Sequence, residues 1–291
     1  WVKWAGRNFD AGRPQHARVV WWLSVAGPAA LVWLLYLLVA HFSLLLALAL
    51  NVGVLYLTLG FRSFSHYITD IRLALERKDE ATAKQLMTEW LHLDASELPQ
   101  NELLRHVIEH GLLAAHRHVF GVFFFFVVFS AIGLGPAGAV FYRLSEFMSR
   151  YWSYQSVSLQ APSNQELRLV SAEYFGAADY LPARLTAFGF AVVGNFEDAV
   201  DAWRQQAHLF PDANDGVVLA ATAGAINVSL GGDQPTHASP LEDQGSPPPV
   251  VPTGGMEPVF SHVRSMVGLV WRAVVMWMLL LALLTLARWT G

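Results

Sequence analysis

The sequence predicts an all-α, polytopic membrane protein with amphipathic helices and a central helical region between its membrane spans. Of its 291 residues, 54% are hydrophobic and 14% are charged, and the mean hydropathy is +0.36. These values lie outside the usual range of water-soluble chains. Uncharged runs of about 20 residues recur along the chain. No stretch alternates apolar and polar residues as a half-buried strand would.

Composition also excludes several classes of function. The chain has no cysteine, which excludes disulfides, thiolate metal sites and cysteine nucleophiles. Its net charge of -4 argues against a nucleic-acid partner, because phosphate binding requires concentrated Lys and Arg. The expected partner is instead the lipid bilayer.

Residues 1–61 are predicted to form a basic N-terminal segment and a transmembrane hairpin. The uncharged runs 19–40 and 42–61 are almost contiguous, so little chain remains between them. Pro28 is compatible with a membrane helix whose neighbour packs closely. The first segment is rich in basic residues, which the positive-inside rule places in the cytoplasm: Lys3, Arg7, Arg13 and Arg18. Because the chain begins at Trp1 within this basic stretch, we expect a segment upstream of it.

The next two regions are predicted to be helical. Residues 62–118 have mixed charges at helical spacing and indicate amphipathic cytoplasmic helices. Residues 119–232 indicate a membrane-embedded helical core, with breaks expected at Pro182 and Pro211. The apolar run 119–142 meets several glycines and a proline. It either crosses the membrane as one kinked helix or turns back as two half-helices, and these alternatives leave the side of residues 143–265 open.

The C-terminal part is predicted to be a low-complexity linker, 233–265, followed by a transmembrane helix, 266–291. The linker is rich in Gly, Pro and Ser and indicates a flexible tether. Arg272 lies near the start of the last apolar run, and we expect it to reach the membrane interface.

Four histidines lie between positions 106 and 118: His106, His110, His116 and His118. The first two are four residues apart and share a helix face beside Glu109, a spacing compatible with a divalent-metal site. The alternative is a set of interfacial imidazoles, which we favour because the spacing alone does not supply further converging ligands.

Two further segments contain groups that could bind an anion. Arg184 follows Asp179 and Pro182; it is either an interfacial anchor or, if it faces a cavity, a ligand for phosphate or carboxylate. The loop 211–216 could present backbone N–H groups and the Asn214 amide to an anion. The small residues that follow it indicate close helix packing.

At these residues the chain resembles the CobD/CbiB family, the adenosylcobinamide-phosphate synthases of cobalamin biosynthesis. The resemblance covers about residues 62–232, with weaker similarity upstream at Glu109 and at 135–139. Its strongest part keeps both residue types and spacing: Pro182-Ala183-Arg184-Leu185-Thr186, Trp203-Arg204, Ala207, Pro211, Asn214, Gly216, Ala223-Gly224-Ala225 and Leu230-Gly231-Gly232.

The resemblance implies a bacterial inner-membrane protein that joins a corrin carboxylate to aminopropanol or its phosphate by an amide bond. It also implies ATP and Mg²⁺ as requirements and a corrinoid substrate. Glu109 and Asp179 would be the catalytic residues, binding metal or acting as base. The substrate-binding residues would be Arg184, Thr186, Trp203, Arg204 and Asn214, with the arginines contacting anions and Asn214 orienting the substrate.

The chain departs from the family's pattern where further polar groups are expected. Those places hold Leu113, Ala114 and Arg117, and the charge of Arg117 would repel Mg²⁺. An Arg at this position, the Pro182-x-Arg184-Leu185 pattern and the pair Ala202-Trp203 are similar to the AmpE-type inner-membrane proteins. The sequence therefore leaves three alternatives: a synthase with an altered site, an AmpE-like sensor without enzymatic activity, or a helical accessory subunit contacting other membrane proteins.

Overall fold

The computed structural model describes residues 14–59, 99–158, 165–232 and 252–290, together with 69–91 except positions 72, 75 and 78. The principal helices, in chain order, are α1 (Pro14–Phe42), α2 (Leu44–Thr58), α3 (Glu80–Leu91), α4 (Gln100–Ala115), α5 (Gly121–Ala131), α6 (Ala137–Ser158), α7 (Gln165–Val193), α8 (Phe196–Gln206), α9 (Ala213–Ile226) and α10 (Phe260–Thr290). The π-helical segment His116–Phe120 joins α4 to α5. The described part of the chain contains no β-strand, and an isolated parallel bridge pairs Val228 with Met256. The predicted all-α class is confirmed.

Three helical stretches are long and apolar enough to cross a membrane: Gln15–Phe42, Gln100–Ala131 and Phe260–Leu283. The second arm of the predicted hairpin forms helix α2, which has 15 residues and is shorter than these. The middle stretch includes α4, which the sequence analysis assigned to the cytoplasmic region. It begins at Gln100 rather than 119 because α4, the π-helical segment and α5 follow one another without a break.

The chain divides into two compact units, one of residues 1–60 and 117–182 and the other of 61–116 and 183–291. In the first unit, α1 packs against α2 and α6. Trp21 is buried in this core and meets Tyr174 edge-on, with ring centroids 4.7 Å apart. Pro28 lies inside α1 without ending it, as expected. Lys3, Arg7 and Arg13, on which the predicted orientation rests, lie outside the described residues.

The run 119–142 turns back on itself, so the single kinked crossing is wrong. Helix α5 ends at Ala131, and Gly133 and Gly135 adopt positive φ angles of 83° and 57°, which glycine accommodates without strain. Helix α6 then packs on α5, where the rings of Phe125 and Tyr142 stack with centroids 5.4 Å apart. The first arm is the end of a long helix from Gln100, not a separate half-helix.

In the second unit, α9 packs against α8 and α4. The break predicted at Pro211 is confirmed, since α9 begins at Ala213 with Asp212 as its N-cap.

At the start of α3, Asp79 accepts hydrogen bonds from the hydroxyl and the backbone N–H of Thr82. These bonds hold the pKa of Asp79 below its usual value.

The break predicted at Pro182 is wrong. Helix α7 continues through it to Val193. After the proline, Ala183, Ala187 and Phe190 are fully buried. Packing of this kind can outweigh the backbone hydrogen bond that an internal proline removes.

Within the predicted linker 233–265, residues 253 and 256 are bonded to the chain just before the linker begins. The backbone N–H of Ser229 donates to the carbonyl of Met256, and that of Thr253 donates to the carbonyl of Leu230, both at 2.7 Å. Helix α10 begins at Phe260 rather than 266. Positions 233–251 lie outside the described residues, and the flexible tether predicted there stays a prediction.

Candidate functional site

Glu109 is a buried carboxylate in the second unit, 6% exposed on the inner face of α4. Its Oε1 accepts a hydrogen bond of 2.7 Å from the backbone N–H of Gly231, which is 122 positions away in the sequence. Gly231 and Gly232 have φ angles of 78° and 109°, a conformation that favours glycine. A Cβ at Gly232 would lie 2.7 Å from Nη1 of Arg105. The two glycines therefore let the backbone approach α4 closely beside Arg105 and Glu109.

His106 lies one turn before Glu109 on the same helix and is 3% exposed. Its Nδ1 is 3.6 Å from Oε2 of Glu109, a distance within ion-pair reach but longer than a direct hydrogen bond. Its Nε2 is buried and has no hydrogen-bond partner among the described residues. The carboxylate thus faces one nitrogen of the ring, and the other nitrogen is unsatisfied.

Arg184 and Asn214, which the sequence indicated separately as possible anion ligands, are hydrogen-bonded to each other. Nη1 of Arg184, on α7, donates a 3.0 Å hydrogen bond to Oδ1 of Asn214 in the first turn of α9. Arg184 is half-buried, and Asn214 is 7% exposed. This bond fixes the guanidinium against the amide, and a guanidinium is well suited to bind phosphate or carboxylate.

The anion nest predicted for the loop 211–216 is not formed. Oδ1 of Asp212 accepts the backbone N–H groups of Asn214 and Asp215, each at 2.9 Å, and its carbonyl accepts that of Gly216 at 2.8 Å. The backbone donors of this turn therefore cap α9. The Asn214 side-chain amide, which was also proposed there, accepts a hydrogen bond from the cationic Arg184.

Thr186 is buried two positions after Arg184, and its hydroxyl oxygen lies 3.0 Å from Nδ1 of His116. His116 is itself fully buried at the start of the π-helical segment. The hydroxyl that was expected to bind substrate thus joins α7 to the end of α4.

Trp203 and Arg204 lie on different faces of α8. Trp203 is half-buried and packs against a cluster of Ala187, Val217 and Ala221. Arg204 is exposed in the last turn of the helix, where a cation interacts favourably with the helix dipole. Packing and helix-end electrostatics account for the placement of these side chains, and their predicted roles toward substrate stay predictions.

Asp179 belongs to the first unit, where its buried Oδ1 accepts a 2.6 Å hydrogen bond from the phenol of Tyr142. Gly121 makes room for this phenol, since a Cβ there would lie 2.2 Å from it. Arg117, also in this unit, lies over the ring of Phe175 with its guanidinium carbon 6.0 Å from the centroid. The predicted catalytic role of Asp179 stays a prediction.

The histidines of α4 and its continuation do not form a metal site in the described part of the chain. No group of three or more His, Asp or Glu side chains converges there on a point that could hold a metal ion. His110 is exposed, whereas His106 and His116 are buried. The residues therefore do not fit a metal ion held by the protein alone.

Sequence reasoning missed the partners of the site residues. It noted Gly231 for its spacing, but not as a donor to Glu109, and it considered His106 and His116 as possible metal ligands. The property that distinguishes these histidines is their burial. The i, i+3, i+7 spacing of Leu103, His106 and His110 does not reveal it. A pair 70 positions apart, such as His116 and Thr186, leaves no local sequence signature.

Known proteins resemble this chain over most of its length. The family model described as CobD/Cbib protein matches residues 1–247. The protein named cobalamin biosynthesis protein CobD from Stutzerimonas stutzeri is 31% identical over 94% of this chain and 84% of its own length. That of the same name from Chromobacterium violaceum is 33% identical over 76% of this chain and 69% of its own. No solved structure matches the chain significantly.

Proposed function

The chain belongs to the CobD/CbiB family of cobalamin biosynthesis proteins, and on that premise we propose that it joins adenosylcobyric acid to aminopropanol or its phosphate by an amide bond. The observation that carries this proposal is the half-buried Arg184 held by the buried Asn214. Adenosylcobyric acid reacts through a carboxylate, and ATP and aminopropanol phosphate have phosphate groups; a fixed guanidinium binds both kinds of anion.

The chemistry requires the corrin carboxylate to be made electrophilic before an amine can displace oxygen from it. We propose that ATP transfers its terminal phosphoryl group to that carboxylate and leaves as ADP. The amine then attacks the acyl carbon, and inorganic phosphate departs. Negative charge develops on oxygen in both steps, and Arg184 is the group that stabilises it, while Asn214 keeps the guanidinium in position.

We propose that Mg²⁺ binds together with ATP. Proteins usually bind Mg²⁺ through one or two carboxylates together with substrate phosphates, and the described residues offer no group of three acids or histidines for it. When bound with ATP, the ion would neutralise phosphate charge. The work of the chain's own residues is to bind and orient the anionic groups and to accept the proton of the amine.

We place the protein in the bacterial inner membrane with its basic N-terminal segment in the cytoplasm. Three helices of spanning length support the membrane location, and the excess of Lys and Arg before the first of them supports the orientation. Because ATP is a cytoplasmic metabolite, the proposal requires the site to open to that side.

Complementation tests the proposal in cells. Expression in a bacterial host that lacks its own synthase is expected to restore cobalamin-dependent growth on cobyric acid, with membrane insertion checked by fractionation. Growth on cobinamide without growth on cobyric acid would contradict the synthase activity. A changed induction of β-lactamase, with cobalamin-dependent growth unaffected, would favour the AmpE-like alternative instead.

A further inference from the structure

We infer that α10 enters the hydrocarbon of the bilayer only after Arg272, and that Trp271 and Arg272 meet the phospholipid headgroups there. The first half of α10, with α4 and α9, then stands in water beside the membrane. This inference does not depend on the proposed synthase reaction. It draws on the burial of α10, the kind of side chain that α10 exposes, and the direction of the Arg272 side chain.

Helix α10 is buried only in its first half. It packs against α4 and α9. Its buried side chains all lie between positions 262 and 273: His262, Val263, Met266, Leu269, Val270 and Ala273. From 274 to 286, none of the positions whose exposure the structure describes is buried. The protein therefore encloses only the first half of this helix.

The exposed side chains of α10 change in kind at Trp271 and Arg272. Those before this pair are polar: Ser261, Arg264 and Ser265. The large exposed side chains after it are apolar: Val275, Met278, Leu279, Leu280, Leu283 and Leu286. Thr285 is also exposed there, and its hydroxyl donates a 2.8 Å hydrogen bond to the carbonyl of Leu281, as a polar group in hydrocarbon requires. Water suits the first surface and lipid suits the second, so the boundary between them lies at this pair.

The length of the apolar half agrees with this boundary. From position 273 to Thr290, α10 is about 27 Å long at 1.5 Å per residue, close to the roughly 30 Å of bilayer hydrocarbon. The whole helix of 31 residues measures about 46 Å and exceeds it. A span from Phe260 to Leu283, which satisfies length and hydropathy, would place the exposed Arg272 near its middle, where a charge facing lipid is strongly disfavoured.

The side chain of Arg272 points away from the apolar half. Its Nε donates a 3.2 Å hydrogen bond to the carbonyl of Gly268, one turn toward the start of the helix. This direction is expected of an arginine that reaches the headgroups from the edge of the hydrocarbon. Trp271 beside it is 52% exposed, and tryptophan is enriched at this level of a bilayer. Phospholipids supply phosphate, which a guanidinium binds well.

Helix α4 enters the membrane from the same side as α10. The continuous stretch Gln100–Ala131 has 32 residues and measures about 48 Å, more than the hydrocarbon needs. The exposed positions within α4 are Gln100 and His110, both polar, so α4 is the part of this stretch that stands in water. Because α4 packs against α10 where α10 is buried, the first halves of both long helices lie on one side of the bilayer.

The depth of α10 can be measured directly because the chain contains no cysteine. Ser265→Cys, Leu279→Cys and Leu283→Cys, each carrying a nitroxide spin label, are placed in lipid nanodiscs of phosphatidylcholine and phosphatidylglycerol. We expect the label at 265 to collide mainly with a water-soluble nickel chelate. The labels at 279 and 283 should collide mainly with oxygen, which concentrates in hydrocarbon. All three positions are exposed, and thermal unfolding checks that each variant is folded.

Two outcomes of the depth measurement would overturn the inference. One is a preference for oxygen at 265, which would place the first half of α10 in the hydrocarbon. The other is a label at 279 that is shielded from both reagents, because a second copy of the chain or another protein would then cover the face assigned to lipid.

Labelling in sealed vesicles tests whether α4 and α10 share a side. Gln100→Cys and Ser265→Cys should react with a membrane-impermeant maleimide in the same population, either right-side-out or inside-out. Leu279→Cys is the control and should react only after the membrane is dissolved. Reaction at 100 and 265 from opposite sides would contradict the shared side.

Thermal unfolding in two environments tests the headgroup contact of Arg272. We expect Arg272→Gln to lower the unfolding midpoint in the nanodiscs by about 2–4 °C, the shift for one lost charge-assisted contact. In dodecyl maltoside, a detergent without phosphate, its midpoint should equal that of the wild type. The matched control Arg264→Gln, which removes an exposed arginine paired with Glu76, should give the same shift in both environments. Equal shifts for Arg272→Gln in nanodiscs and detergent, or no shift in either, would show that Arg272 does not contact headgroups.

Discussion

Replacing Arg184 by Gln is expected to lower the rate of amide formation by about 10²–10³-fold, the usual effect of removing one donor that stabilises developing negative charge. Gln keeps an N–H donor but its side chain is two bonds shorter, so thermal unfolding of the variant is measured beside its kinetics to separate a lost α7–α9 contact from lost chemistry. What is lost is the guanidinium that the 3.0 Å bond to Asn214 holds in place. The measurement is kcat and KM for both anionic substrates in nanodiscs.

Two further variants make the result specific. Arg184→Lys keeps the charge but loses the planar fork, so we expect it to recover only part of the activity. Arg264→Gln removes an exposed arginine paired with Glu76 and is expected to keep wild-type kinetics. Full activity in Arg184→Gln would show that this residue anchors the helix and does not handle substrate.

Gly224→Ala is expected to destabilise the second unit by about 1–3 kcal/mol, the usual cost of overpacking a core. A Cβ at Gly224 would lie 2.2 Å from the carbonyl oxygen of Asp198 and 2.8 Å from the Cα of Ala199. Both are backbone atoms, which cannot move aside by rotating a side chain. Glycine therefore sets how closely α8 and α9 approach each other, and α9 carries Asn214.

The sign of this effect distinguishes it from helix propensity, because Ala in an open helical position stabilises by up to about 1 kcal/mol relative to Gly. Gly268→Ala provides the matched control, since a Cβ there meets nothing within 4 Å. Thermal unfolding in mild detergent should give a lower midpoint for Gly224→Ala and an equal or higher one for Gly268→Ala. A midpoint at or above wild type for Gly224→Ala would contradict the close contact.

Hydropathy predicted the membrane class and the helical nature of the chain because both depend on local composition. It placed the start of the middle span at 119, since α4 contains Glu102, Arg105 and Glu109 and reads as a water-exposed helix. In the structure Arg105 pairs with Glu102, and Glu109 bonds to Gly231. The periodicity of apolar residues does not reveal that polar residues are buried when they pair with partners within the fold.

The break predicted at Pro182 failed for a similar reason. The local rule disfavours an internal proline, but the fully buried Ala183, Ala187 and Phe190 that follow it belong to packing that the rule does not include. The break at Pro211 was predicted correctly because Asp212 adds a capping signal that acts within the same few residues.

Candidate site residues were identified by type and spacing, and their partners could not be. Arg184 and Asn214 were named separately, and their hydrogen bond joins positions 30 apart on two helices. The contacts of Glu109 with Gly231 and of Thr186 with His116 span longer separations still. Such pairings depend on how helices pack, which local patterns do not encode.

Direct observation of the product is the strictest test of the synthase. Wild-type protein in nanodiscs, given adenosylcobyric acid, aminopropanol phosphate and MgATP, should convert the acid to its amide, identified by mass spectrometry, with one ADP formed for each amide. Arg184→Gln under the same conditions should form far less of both. Unchanged adenosylcobyric acid with no consumption of ATP by the wild-type protein would contradict the account.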